Sequence, residues 1–125
     1  MSELNPVTRA FIGDAVFSLY VRGRVVEEAD YKPKDATEKA NLCVSATKQA
    51  EMLERIAPVL TEVEAEVVRR GKNSHVPQKA KNAGIMEYKR ATALEALLGW
   101  LYLRGEYSRL KEICDECVKE FFDRT

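Results

Sequence analysis

The sequence predicts an all-α protein, and three observations carry that prediction. Apolar residues recur every three or four positions over long stretches, the spacing that places them on one face of a helix. Helix-start signals stand ahead of most of those stretches. No run alternates apolar and polar residues in the manner of a half-buried strand.

In chain order, Asn5-Pro6 reads as an N-cap followed by proline at the first helical position, where a missing N–H is no loss. The helix that follows runs past Val26. Its expected core stripe is Val7, Phe11, Ala15 and Leu19, widened by Ile12, Val16 and Val26, with Asp14 in the middle of the helix. Tyr31-Lys32-Pro33 breaks the pattern, because a residue before proline avoids helical torsions. Asp35-Ala36-Thr37-Glu38 then reads as a capping box for a second helical region reaching about Ala57. Its expected core positions are Ala40, Leu42, Val44, Ala46, Ala50, Leu53 and Ile56, and Cys43-Val44-Ser45 is a candidate break with Ser45 as a new cap.

Pro58 ends that region, and Thr61-Glu62-Val63-Glu64 is a second capping box, opening a short helix through Val67 and Val68 that Gly71 stops. From Lys72 to about Gly84 periodicity disappears and turn formers dominate; a loop of that length inside a compact domain is usually functional. Helix resumes near Ile85 and reaches Arg104, with Met86, Ala93, Leu94, Leu97, Leu98 and Leu101 as core and Gly105 closing it. A last amphipathic helix spans Tyr107 to about Phe122, with Leu110, Ile113, Cys114, Cys117, Val118 and Phe121 on its apolar side.

The 125 residues suit one domain, 1–125, large enough to bury a core. Charged residues make up 32% of the chain and sum to zero, so a nucleic-acid partner would have to be met by a local patch. Three cysteines, with no leader-like segment and no apolar run of membrane-spanning length, suit a reducing cytoplasm without disulfides. Phosphate-binding glycine loops, dinucleotide fingerprints and serine–histidine–acid constellations are absent from the sequence.

Two stretches organise the rest: Phe11-Ile12-Gly13-Asp14-Ala15-Val16 and Ala93-Leu94-Glu95-Ala96-Leu97-Leu98-Gly99-Trp100. Each holds one glycine and one carboxylate inside an apolar helical pattern. A mid-helix glycine costs about 1 kcal/mol relative to alanine, and close approach of two helix backbones is the common reason to keep one. If Gly13 and Gly99 mark a crossing, Asp14 and Glu95 are brought together. Burying two carboxylates is expensive unless a cation lies between them, and a hard divalent ion is the usual solution. The alternative places both acids at helix edges, facing solvent or an arginine.

The neutral total hides an uneven charge distribution. Arg69, Arg70, Lys72, Lys79, Lys81, Lys89 and Arg90 face a single acid, Glu87, within 69–90, whereas 51–66 holds five glutamates and only Arg55. A basic loop leading into the helix that carries a candidate metal ligand is what a phosphodiester substrate requires. The plainer alternative is a solvated charged loop. Cys114-x-x-Cys117 is better explained by core packing than by zinc, since a closed site needs four ligands and His75 is the only histidine. His75 itself lies in the basic loop, where solvent exposure without a role is the simplest reading and phosphate contact or general-base work the functional one.

Phe-Ile-Gly-Asp-Ala-Val resembles the signature helix of the ribonuclease III catalytic domain, and Leu-Glu-Ala-Leu-Leu-Gly-Trp-Leu-Tyr-Leu resembles that family's second catalytic helix. The fit is closest to the short branch, Mini-ribonuclease III, which consists of the catalytic domain alone. Val44-Ser45-Ala46 with Gln49-Ala50, Arg69-Arg70-Gly71-Lys72-Asn73, and 88–103 extend the resemblance over nearly the whole chain.

The resemblance implies an all-helical homodimer in the cytoplasm that cleaves double-stranded RNA with Mg²⁺. For the short branch it implies maturation of the large-subunit (23S) ribosomal RNA precursor at both ends, with a ribosomal protein as a candidate additional partner that reshapes the RNA, and no membrane. Carried onto this chain, Asp14 and Glu95 match the essential metal-binding acids, and Phe11 matches the aromatic that enters a socket on the partner subunit. Arg22, Arg69, Arg70, Lys72, Asn73, Lys79 and Lys81 are the expected RNA-binding residues. Two positions depart from the full-length pattern. Ala10 and Thr92 stand where that pattern has a glutamate one turn before Asp14 and an aspartate three residues before Glu95, so the ion is expected to keep more water. Those departures leave open a duplex-binding module that has lost hydrolysis, and a helical adaptor without RNA is the further rival.

Overall fold

The computed structural model describes residues 4–74 and 84–122. Seven α-helices are placed among them: α1 (Pro6–Glu28), α2 (Pro33–Val44), α3 (Ala46–Ile56), α4 (Glu62–Lys72), α5 (Ile85–Leu103), α6 (Tyr107–Cys117) and the short α7 (Lys119–Phe122). A single 3-10 turn, Ala57–Val59, joins α3 to α4, and no strand occurs among the described residues. The all-α expectation holds.

Capping chemistry sets most of the boundaries. The Asn5 side chain accepts from the Val7 N–H at 2.7 Å, ahead of Pro6. Thr61 and Glu64 form the reciprocal capping box of α4, at 3.1 and 2.9 Å. Ser45 is a true break: its hydroxyl accepts from the Lys48 N–H at 3.2 Å and divides α2 from α3. The expected box at Asp35–Glu38 does not form. Pro33 starts α2 earlier, which puts Asp35 and Glu38 inside the helix rather than at its cap. Gly105, at φ 73°, closes α5 in the left-handed region where glycine carries no penalty.

Helix α5 is the centre of the molecule. It is buried on nearly every side from Ala91 to Leu101, as expected of a helix that is apolar all round, and it packs on α1, α3, α4 and α6. Around it Phe17, Val21, Met52, Leu53, Ile56, Leu94, Leu97, Leu98 and Ile113 form one continuous core. A buried ion pair supports the base of the bundle: Arg109 donates to both Glu64 oxygens at 2.8 Å and to the Val59 carbonyl, and its guanidinium holds the Glu64 carboxyl below its ordinary range. Cys43, Cys114 and Cys117 are buried free thiols, so the CxxC pair is core packing. Burial pushes Cys43 up to about 11 and Cys114 to about 12.

Helix α1 turns a different face inward from the one its apolar stripe suggests. Ala10, Gly13, Phe17, Val21 and Val25 are buried, whereas Phe11 is 82%, Leu19 74% and Val26 73% exposed, and Val7 and Ala15 also face outward. Both faces are apolar, so periodicity could not choose between them; the need for glycine at the crossing did. The same ambiguity puts Leu42, Ala46 and Met86 on the surface, while Cys43 and Met52 fill the core.

Two glycines make the α1–α5 contact. A Cβ on Gly13 would overlap the carbonyl oxygen of Glu95, and a Cβ on Gly99 would overlap that of Arg9. Gly71 does not stop α4 but lies within it, pressed on α5; a Cβ there would come 2.8 Å from the Ala93 Cα. Gly23, by contrast, has open space around it. Gly13→Ala and Gly99→Ala are each expected to destabilise by about 3 kcal/mol or more, because backbone must move. Gly23→Ala is expected to stabilise by up to about 1 kcal/mol. Urea unfolding midpoints of the three variants check this ordering.

Candidate active site

The crossing that Gly13 and Gly99 permit positions the two acids. Asp14 follows Gly13 directly, and Gly13 rests on the backbone of Glu95, so the side chains of Asp14 and Glu95 emerge together at the edge of the α1–α5 contact. Asp14 is exposed and Glu95 half-buried, and the two carboxyls are hydrogen-bonded to each other. Burial, then the charge of Asp14, then that hydrogen bond push the Glu95 carboxyl up to about 8. Among the described residues, no cation pairs with either acid.

One contact works in the opposite direction. Gln49, in the first turn of α3 and 2% exposed, lies near Glu95 and favours its anionic form. Its Nε2 also donates to the Val44 carbonyl at 3.5 Å, where α2 ends. Gln49 was visible in the sequence only as part of a matching motif. A signal was available, since a glutamine stands among the buried positions Ala50, Met52, Leu53 and Ile56 of an otherwise apolar helix face.

The carboxylate pair fits a hard divalent ion: it supplies two oxygen donors of like charge that lack a counter-charge among the described residues. No group of three or more His, Cys, Asp or Glu side chains gathers to hold a metal among the described residues. A magnesium ion, which dehydrates reluctantly, suits so small a protein ligand set. Ala10 and Thr92, where further acids would stand, are both buried, at 7% and 8%.

The basic residues fall into two groups. Arg69, Arg70 and Asn73, at the end of α4, line a cavity of about 290 Å³ together with Asn5, Pro6 and Val7 at the start of α1. Lys72 is exposed beside them, and Gly71 anchors this corner on Ala93, two residues before Glu95. The acidic segment partly answers the basic one: Arg69 donates to Glu66 through Nε at 2.9 Å, and Arg90 pairs with Glu54 at 3.5 Å. Such exposed pairs contribute little and exchange easily. Arg22 stands apart from that corner, exposed on α1 about 12 Å along the axis from Asp14. Lys79, Lys81 and His75 lie outside the described residues.

An all-helical bundle with paired acids at a glycine-mediated crossing, flanked by basic side chains, is the frame of a nuclease, and the ribonuclease III domain family matches residues 8–106. The chain belongs to that family. Membership makes it an endoribonuclease, a hydrolase acting on RNA. Among individual relatives, the Mini-ribonuclease 3 of Brevibacillus brevis is 44% identical over 112 residues, covering 90% of this chain and 84% of the relative. The Mini-ribonuclease 3 of Symbiobacterium thermophilum is 40% identical over 97% of this chain and 92% of its own length. The crystal structure of protein FN1578 from Fusobacterium nucleatum superposes with a TM-score of 0.85 at 28% identity, covering 95% of each chain.

The state of Glu95 has a measurable cost without metal. Its pKa is raised from 4.5 to about 8 on folding, so between those values the native protein holds a proton that the unfolded chain has released. Stability from this group is therefore complete below 4.5 and falls as pH rises towards 8. In a chelator, Glu95→Gln is expected to unfold at a higher temperature than the native chain at pH 8 and to lose that advantage at pH 5. Thermal unfolding of both proteins across that range checks the sign.

Proposed function

We propose that this chain is a Mg²⁺-dependent endoribonuclease of double-stranded RNA, with Asp14 and Glu95 as its metal-binding catalytic pair. The carrying observation is that the Gly13–Gly99 crossing presses the two carboxylates together with no counter-charge among the described residues. When bound, the ion supplies the positive charge that stabilises the scissile phosphate and lowers the pKa of a bound water. Asp14 and Glu95 hold it, and their backbones are held by packing. Arg69, Arg70, Lys72 and Asn73, with Arg22 from α1 and with Lys79 and Lys81, contact backbone phosphates. A duplex read through phosphates and 2′-hydroxyls is recognised by shape more than by sequence.

The unit in this reading is a homodimer of single catalytic domains, residues 1–125. Phe11, Leu19 and Val26 support it, since large apolar side chains so exposed along one helix mark an interaction surface. Phe11 lies three residues before Asp14, so it would join the partner close to the acid pair. The proposed substrate is the paired stem of the 23S ribosomal RNA precursor in the cytoplasm. Relatives named Mini-ribonuclease 3 support that branch of the family. Among the described residues, no helix is long and apolar enough to cross a membrane.

Cleavage of a labelled RNA duplex in Mg²⁺ tests the assignment. Asp14→Asn and Glu95→Gln are each expected to lower the cleavage rate on the order of 100-fold or more while duplex binding in Ca²⁺ persists. Arg70→Ala with Lys72→Ala is expected to weaken binding and to flatten its salt dependence by about one unit of log–log slope per lost phosphate contact. Binding without cleavage by the native chain would support the inactive duplex-binding module instead.

A further inference from the structure

Gln49 is a costly residue where it stands. Its neighbours Ala50, Met52, Leu53 and Ile56 make an apolar face packed into the core, and an amide buried at 2% exposure must find hydrogen-bond partners to be tolerated. Its Nε2 donates to the Val44 carbonyl at 3.5 Å, and on the helix that packs against α5 the amide lies near the Glu95 carboxyl and favours its anionic form. The Val44 carbonyl is part of the corner where α2 gives way to α3, and Ser45 fixes that corner by capping α3 at 3.2 Å. Gln49 N–H donates in turn to the Ser45 carbonyl at 2.9 Å, so both the backbone and the side chain of this residue are anchored there.

Helix α3 thus brings a neutral amide to Glu95. With Ala10 and Thr92 at positions that resemble the family's other acids, few side chains remain to orient Glu95. A donor without charge can hold one carboxylate oxygen in place without competing for the ion. We infer that Gln49 is a positioning residue, fixing the Glu95 carboxylate from the α2–α3 corner for binding the divalent ion.

This rests on the reading of Asp14 and Glu95 as the metal pair, and the test separates the two ideas. Mn²⁺ binding to the RNA-free protein is followed by electron paramagnetic resonance for the native chain, Glu95→Gln, Gln49→Leu and the double variant, with Gln49→Met as a second apolar replacement should leucine fail to fold. Gln49→Leu is expected to weaken Mn²⁺ binding about 10-fold, the usual scale for losing a group that orients a metal ligand. It is also expected to lower kcat with little change in KM, and to add no further loss when Glu95 is already glutamine. Full Mn²⁺ affinity and kcat in both apolar variants, with affinity lost in Glu95→Gln, would overturn the role of Gln49 alone. Native-like Mn²⁺ affinity in Glu95→Gln would overturn the metal-pair reading and this inference with it.

Discussion

Backbone-to-backbone contact between α1 and α5 is the constraint on which the rest of this molecule depends. Two glycines allow it, each resting on a peptide group of the opposite helix, and the contact does more than fill space. It determines which residues of α5 face α1, and so brings Glu95 next to the residue after Gly13. Packing energy is thereby spent on holding two acids together, one of which keeps its proton when no cation is present, a local cost that the surrounding core sustains. Gly71 repeats the device from α4, placing the basic end of that helix against the same stretch of α5. Three close approaches to one central helix therefore locate the acids and part of the basic cluster in a common frame.

Electrostatics around α5 follows two rules. At the base, Glu64 is buried with a full set of partners from Arg109 and the Thr61 N–H, and its charge is stabilised. At the crossing, Glu95 has another acid as its neighbour and only a neutral amide to favour its charge. The first arrangement is structural, because the ion pair is complete within the chain. The second is complete only when something positive arrives. The contrast is that of a closed network and an open one, and functional sites are commonly of the second kind.

Much of this was legible in the sequence wherever one residue type has a single physical use. Asn5-Pro6, the Thr61–Glu64 box, the Ser45 break and the left-handed Gly105 all act as their chemistry requires. The paired glycines likewise mark the crossing, because only a missing Cβ lets the two backbones meet. Legibility failed where two solutions satisfy the same pattern. Helix α1 is apolar on two sides, so the stripe Val7–Phe11–Ala15–Leu19 fitted a core as well as an outer surface. Pro33 outcompeted Asp35 as a helix start because a fixed φ needs no side-chain partner. Gly71 looked like a terminator because a helix end and a close approach both call for a missing Cβ. The role of Gln49 is not legible because the residue that explains it is 46 positions away in sequence, on α5.

The three cysteines give the fold a built-in record of its own opening. Cys43 lies on α2 and Cys114 and Cys117 on α6, all sealed from solvent with thiols raised well away from the reactive thiolate form. Chemical labelling of these sulfurs can proceed only when the helices bearing them separate from the core. Alkylation kinetics therefore time large excursions of the bundle and ignore fluctuations at its surface. The same seclusion keeps mild oxidants from the three thiols while the chain is folded.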